Sequence, residues 1–311
     1  MLTARSGIET SQFGVHTGQI GLGAKRTVTG MGVKGYGGLF LGALLIFCGP
    51  LRDPGRAEPP PAGGQIAATY RVDLAGLSLG ELHLAIAFQG LNYEIEGNGQ
   101  FSLLAGGLYR GAGNAASAGK LTKAGPQPSS FTLNFEGGGK NEQRHVSFAG
   151  GAVDQVSIIP RKKQGRRRVP VTKDQLEDVL DPLSAAFLHT RPDNAPCDRT
   201  LPVFDGRLRF DIVLTPKRAD SLPNGAPTGL SGPAAVCEVK FVPIGGHRAD
   251  NPNIKFMSET DQIEVWLVPL PRTAMYLPYW IGLPTPLGRG SVTLTQIRIT
   301  VDGAASNFRP L

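Results

Sequence analysis

Cysteine, histidine and tryptophan are scarce in this sequence: three, five and two among 311 residues. Two of the cysteines, Cys197 and Cys237, lie outside the N-terminal segment. A pair alone makes a poor zinc site, no histidine pair at ligand spacing joins it, and no metal or cofactor is implied. Ser184, in Leu183-Ser184-Ala185, has none of the glycines of a nucleophile elbow, which disfavours a serine hydrolase. Long hydrophobic runs are nearly absent. The single one, Leu39 to Cys48, matches the core of a signal peptide and falls well short of the roughly 20 residues that cross a bilayer as a helix.

Charged residues are also few, at 18%, whereas glycine (42) and proline (25) are abundant. Both break helices and mark turns, so many short strands joined by tight connections are favoured. The net charge of +7 is misleading. Arg5, Lys25, Arg26, Lys34, Arg52 and Arg56 against Glu9 and Asp53 place four of those charges in residues 1–57. Little basic character remains for a nucleic-acid surface on the folded part.

Lys34 precedes the apolar run, and Gly55-Arg56-Ala57 puts small residues at −3 and −1 of a cleavage site before Glu58. Met31 opens a compact version of the same signal and is a candidate true start. Residues 1–57 therefore read as an export leader, 58–65 as a Pro/Gly linker, 66–303 as a single β-rich domain and 304–311 as a tail. The alternative is an uncleaved leader, through which the protein would touch the membrane. Phe47 before Cys48 argues against a lipoprotein. Removing the leader leaves an even pair of cysteines. In an oxidising compartment these read as one bridge between Cys197 and Cys237, the alternative being two buried free thiols.

Alternation of period two runs through the domain. Leu82, Leu84, Ile86 and Phe88, then Leu91, Tyr93 and Ile95 about Gly90, predict a hairpin. Phe131, Leu133 and Phe135 repeat the pattern, as do Val146 with Phe148 and Val156 with Ile158. Further on, Leu208, Phe210, Ile212 and Leu214 pair with the stretch around Val236, Glu238 and Lys240, which Pro243 ends. Ile263, Val265 and Leu267 follow. The parity switch between Val292, Leu294 and Ile297, Ile299 predicts a bulge near Thr295-Gln296. One face apolar and one polar marks an antiparallel sheet resting on a core.

Between Thr172 and Thr190 the period becomes helical. Thr172 and Gln175 form a capping box, and Leu176, Val179, Leu180, Leu183, Ala186 and Phe187 share a face. Pro182 cannot sit mid-helix, so Asp181-Pro182 is a second start, with Asp181 as N-cap and Pro182 in the first turn. The expected architecture is mainly β: a curled antiparallel sheet forming an open or closed barrel, with two short helices packed on the inner side.

The order of several short motifs carries a resemblance. Tyr70-Arg71-Val72, Gly76-Leu77-Ser78-Leu79-Gly80, Asp181-Pro182-Leu183-Ser184-Ala185, Phe204-Asp205-Gly206-Arg207 and Leu277-Pro278-Tyr279-Trp280 follow one another as in the exported bacterial proteins of domain-of-unknown-function family 3108. Cys197, Cys237 and Pro243-Ile244-Gly245-Gly246-His247-Arg248 resemble its alphaproteobacterial branch. The likeness spans roughly Ile66 to Val301. It implies an exported β-rich domain and brings no activity or catalytic residues.

Candidate sites are of two kinds. The Asp205-Gly206-Arg207 turn and the His247-Arg248 pair could orient a ligand, although Asp-Gly is also common hairpin chemistry. The run Arg161-Lys162-Lys163-Gln164-Gly165-Arg166-Arg167-Arg168 could meet anionic headgroups or acidic glycans at about 1 kcal/mol per cation, or be a solvated loop. No aromatics interleave in it to stack on bases, and nucleic acid is not expected as a partner. Among the strand carboxylates Asp211, Glu238 and Glu264, the sequence places no two face to face. The expectation is a periplasmic or otherwise exported protein that binds a lipid or other envelope component. The alternatives are a non-enzymatic assembly factor that meets an envelope protein and, last, a hydrolase acting on envelope glycan.

Overall fold

The computed structural model describes residues 63–103, 109–160, 167–186, 188–189, 196–222, 226, 230–270, 275–301 and 304–307. The leader, the linker up to residue 62 and residues 161–166 of the basic run lie outside the described residues. Seven strands come first: β1 (Gly63–Leu74), β2 (Leu77–Gln89), β3 (Asn92–Leu103), β4 (Tyr109–Thr122), β5 (Gly125–Gly137), β6 (Lys140–Ala149) and β7 (Ala152–Ile159). A 3₁₀ turn (Asp174–Leu176), helix α1 (Pro182–Ala186) and the short β8 (Leu188–His189) follow. The second half holds β9 (Arg199–Phe204), β10 (Arg209–Ser221), β11 (Pro233–Gly245), helix α2 (Pro252–Glu259), β12 (Ile263–Pro269), β13 (Met275–Thr285), β14 (Gly288–Val301) and β15 (Ala304–Asn307).

Each long strand pairs with its sequence neighbour, and β1 lies against β14, which gives the order β7-β6-β5-β4-β3-β2-β1-β14-β13-β12-β11-β10-β9. Among the described residues every ladder between named strands is antiparallel, as tight hairpins require. The sheet is open, with β7 and β9 at its ends. Small residues make the turns. Gly150 and Gly151, at φ 61° and 90°, supply the left-handed conformations that reverse β6 into β7 without a side-chain clash.

Alternation fills one face. Ile86, Ile95, Ser117, Phe131 and Val146 form a buried row across five strands, and Ile66 and Ile299 extend it through β1 and β14. The bulge stands where the parity switch put it: Tyr70 faces Leu294 and Thr69 faces Gln296, so Thr295 is the extra residue. Its hydroxyl donates to the carbonyl of Thr69 at 3.1 Å. A second cluster, around Leu201, Val203, Leu214, Val239 and Val265, contains the Cys197–Cys237 disulfide, with Cα atoms 5.3 Å apart.

Two details differ from the sequence reading. Strand β11 does not end at Pro243; Pro243 stays opposite Phe210, and a bulge at Ile244, next to the residue that cannot donate, lets the ladder resume at Gly245. The first of the two expected helices is only the 3₁₀ turn, where the Gln175 side chain accepts from the Thr172 amide at 3.1 Å but the helix stops at Leu176. Asp178, at φ 51°, then turns the chain away. The second start is as read: Asp181 caps, Pro182 opens α1, and α1 packs on the inner side of the sheet. Helix α2, capped by Asn251, lies outside that stretch and packs on the second cluster through Met257.

Candidate functional site

Four side chains close the seam of the open sheet. The Asp205-Gly206-Arg207 turn joins β9 to β10 and is held locally, because the Asp205 carboxylate accepts from the amides of Arg207 (2.8 Å) and Leu208 (2.7 Å). It sits on the inner face of β6. A Cβ added to Gly206 would stand 3.1 Å from Val146 and 3.6 Å from Arg144. Arg144 donates to Glu142 at 2.8 Å and pairs with Asp205 at 2.6 Å, while Arg207 pairs with Glu142 at 3.0 Å. Burial pulls the Arg144 guanidinium down, and the Asp205 and Glu142 charges more than restore it, leaving it above its ordinary value. Asp205 and Arg207 thus meet two residues that sequence reading did not single out, because nothing local marks a contact across 65 positions.

Along the other free edge, Leu180 takes the place of a further strand. Its amide donates to Pro202 at 2.7 Å, and its carbonyl accepts from Phe204 at 2.8 Å. The next stretch brings two sequence candidates together. The Val169 amide donates to the His247 carbonyl at 2.9 Å, the Arg168 guanidinium reaches the Gly246 carbonyl, and Arg167 and Arg248 both pair with Asp250, at 3.2 and 3.0 Å. Hydrogen bonding from Arg248 holds the Asp250 carboxyl below its usual range. Gly246 backs onto the Arg207 carbonyl, so this cationic rim continues the seam.

Inside, α1 is fixed by a polar cluster. Asp181 is fully buried and accepts from the amides of Leu183 (2.9 Å) and Ser184 (3.1 Å) through Oδ1, and from the hydroxyls of Ser184 (2.5 Å) and Ser117 (2.8 Å) through Oδ2. Tyr93 and Ser184 share a hydrogen bond of 2.7 Å. Burial raises the Asp181 carboxyl above its ordinary value, against the pull of these donors, and also raises the Tyr93 phenol. Ser184 is wholly buried, so its hydroxyl serves packing.

The face beyond α1 is sparsely filled. Leu82, Gly99, Gly113 and Phe135 form one row across β2–β5, and Leu84, Gly97, Ala115 and Leu133 form the next. Leu82 lies over Gly99, where a Cβ would be 2.3 Å away, and Leu183 lies over Gly97. The leucines, Phe135 and Phe101 remain half-buried. At the open end the trough runs into a hollow of about 680 Å³ lined by Phe101, Arg110 and bare backbone at Gly80, Gly111 and Gly137.

The strand carboxylates are also placed. Glu238 stands opposite Glu264 on β12. Glu264 pairs with Lys217 at 2.9 Å and Arg218 at 3.2 Å and accepts from the Trp266 indole at 2.7 Å. Burial would raise it, but these donors together hold it at about 2. Asp211 pairs with Arg209. Arg218 lies over Trp266, which meets Trp280 edge-on, and Arg289 covers Trp280. Both oxygens of Glu264 are thus committed. Among the described residues no group of three or more His, Cys, Asp or Glu side chains could hold a metal, and no helix is long and apolar enough to cross a membrane.

An open, curled antiparallel sheet with a short helix on its inner side defines a barrel-like β protein. The chain matches the family described as "Protein of unknown function (DUF3108)" over residues 69–295, and it belongs to that family. No curated protein matches it. A solved structure, a β-barrel-like protein of domain of unknown function DUF1849 from Brucella abortus, is similar at 8% identity with a TM-score of 0.44, covering 76% of this chain and 98% of that one.

Proposed function

We propose that this is an exported envelope protein that binds one extended apolar chain, such as a lipid acyl chain, in the trough between β2 and β5. The observation that carries the reading is the glycine floor at Gly97, Gly99 and Gly113, flanked by half-buried Leu82, Leu84, Leu133 and Phe135. Apolar side chains that line a concavity without filling it leave surface that a ligand would desolvate. The hollow at the open end has the size of small-molecule sites. Asp205 and Arg207 stand at the far bank, because Glu142, which Arg207 pairs, is the β6 neighbour of Phe135. Arg167, Arg168, His247 and Arg248 form the rim behind them. With Arg161, Lys162, Lys163 and Arg166 they would draw the site to anionic headgroups or acidic glycans. Export agrees with the Cys197–Cys237 bridge, since such bridges persist in oxidising compartments.

Native mass spectrometry of protein recovered from the bacterial envelope, with solvent extraction and lipid analysis, tests the reading. A stoichiometric lipid that is lost in Phe135→Asp is the expected result. A wild-type chain that carries no lipid and takes up none from anionic vesicles would overturn it. The second reading, an assembly factor acting through protein contacts, draws on the free edge of β7.

A further inference from the structure

We infer that β7 pairs edge to edge with β7 of a second copy, joining two sheets into one across a two-fold axis; the inference stands apart from the ligand reading. Strand β7 ends the sheet, and only β6 pairs with it among the described residues. The opposite end is covered by Leu180, so among the described residues one edge is protected and the other is open. Open edges are normally blunted by charge, by proline or by a covering segment. Eight-residue β7 has one charge, Asp154, which is also the bulged residue near its start, and proline only after its end, at Pro160, so residues 155–159 carry neither charge, bulge nor proline. Asp154, Gln155, Val156 and Ser157 are exposed in succession, so both faces of the strand are wet. Val156 is 43% and Ile159 57% exposed, and they belong to opposite faces, paired with Val146 and Gln143. The start of the strand is anchored, with Val153 packed against the buried cluster of Phe131, Val146, Phe148, Val179 and Phe204.

A second β7 suits this edge for reasons of charge and pattern. With Ser157 on the axis, antiparallel pairing sets Val156 against Ile158 of the second copy on one face, and Gln155 against Ile159 on the other. The Val156–Ile158 pair sets two β-branched side chains together, which pack well on a pleated surface. The two Asp154 carboxylates end up roughly 20 Å apart at about 3.3 Å per residue, beyond the screening length of physiological salt. Two-fold pairing of identical patches is also the commonest symmetry of oligomers. One strand-length contact is smaller than a standard interface, so the dimer is expected to be concentration-dependent.

Analytical ultracentrifugation of the full-length chain, with and without Val156→Lys, provides the test, with circular dichroism to show that the fold is kept. The expected result is a reversible dimer whose dissociation constant rises at least tenfold in the variant, because the two lysines lie diagonally across the axis. Ser157→Cys gives a positive readout: mild oxidation should yield a cross-linked dimer, and Ile159→Cys, whose opposite residue is Gln155, should not. A wild-type monomer at high concentration would overturn the inference. A dimer indifferent to Val156→Lys, equal cross-linking at both positions, or a monomer that pairs only with a foreign strand would do the same.

Discussion

Replacing Asp181 should separate the role of its shape from that of its charge. In Asp181→Ala four donors lose their acceptor: the amides of Leu183 and Ser184 and the hydroxyls of Ser184 and Ser117. Loss of the N-cap alone costs about 1 kcal/mol. The amides gain no water in this buried site, and an unsatisfied buried group costs about 1–3 kcal/mol. The hydroxyls retain each other at 3.0 Å, and Ser184 retains Tyr93, so they add little. Together these give a loss of about 3–5 kcal/mol. Asp181→Asn keeps Oδ1 for the amides, and its NH₂ can donate to hydroxyls that rotate to accept, so it should stay within about 1 kcal/mol. The pH dependence has a definite sign. Burial raises the folded carboxyl above its ordinary 3.8, so the stability that Asp181 contributes is complete below that pH and declines as pH rises through the folded value. The asparagine variant should therefore gain on the wild type as pH is raised from 4. Urea denaturation followed by the fluorescence of Trp266 and Trp280 measures all three quantities. An alanine variant within 1 kcal/mol of wild type, or an asparagine variant as weak as alanine, would refute the reasoning.

Other perturbations probe the seam, the bridge and the outer charge cluster. Cys197→Ala with Cys237→Ala releases a loop of 40 residues and should cost about 3–4 kcal/mol in the chain-entropy account, measured by urea denaturation, with a non-reducing peptide map confirming the bridge in the parent. Arg144→Ala removes one ion-pair partner each from Asp205 and Glu142 in a partly buried site, Arg207 remaining on Glu142, and should lower stability by about 2–4 kcal/mol, visible as a shifted thermal midpoint. Glu264 is held at about 2, below its ordinary 4.5, so its contribution is present above pH 4.5 and lost as pH falls towards 2. Glu264→Gln should flatten acid denaturation over that window. At neutral pH it should cost only about 1 kcal/mol, because Lys217 and Arg218 are partly exposed and screened by water, and added salt should shrink the difference.

The sequence was most legible where one strand face is apolar and its neighbour polar, as in β2, β3 and β5. It also marked Asp181-Pro182, because a cap and a first-turn proline are local chemistry, and the bulge at Thr295, because alternation changes parity there. Strand β4 escaped notice: its inward positions are Gly111, Gly113, Ala115, Ser117 and Gly119, which leave room for Phe135 over Gly113 and Tyr93 over Gly119 and so carry no apolar period. Strand β13 was hidden by Pro278 and Pro284; a register shift lets the ladder pass Pro278. Of the sites, the Asp205 turn and the His247 loop were visible as loop chemistry. Their partners Glu142, Arg144 and Asp250, and the Tyr93–Ser117 support of α1, depend on contacts that no short window contains.

The pairing of β1 with β14 affects how the chain must assemble. Strands β1 to β7 and β9 to β14 are two meanders in which each new strand finds its partner immediately behind it, so both can zip up from local contacts alone. The ladder between Gly64 and Val301 is the exception and has to wait for nearly the whole polypeptide. Until then the product is two half-shells, each with an extra raw border. Loss of the last dozen residues of β14 would leave them separate, even though every hairpin before it was intact.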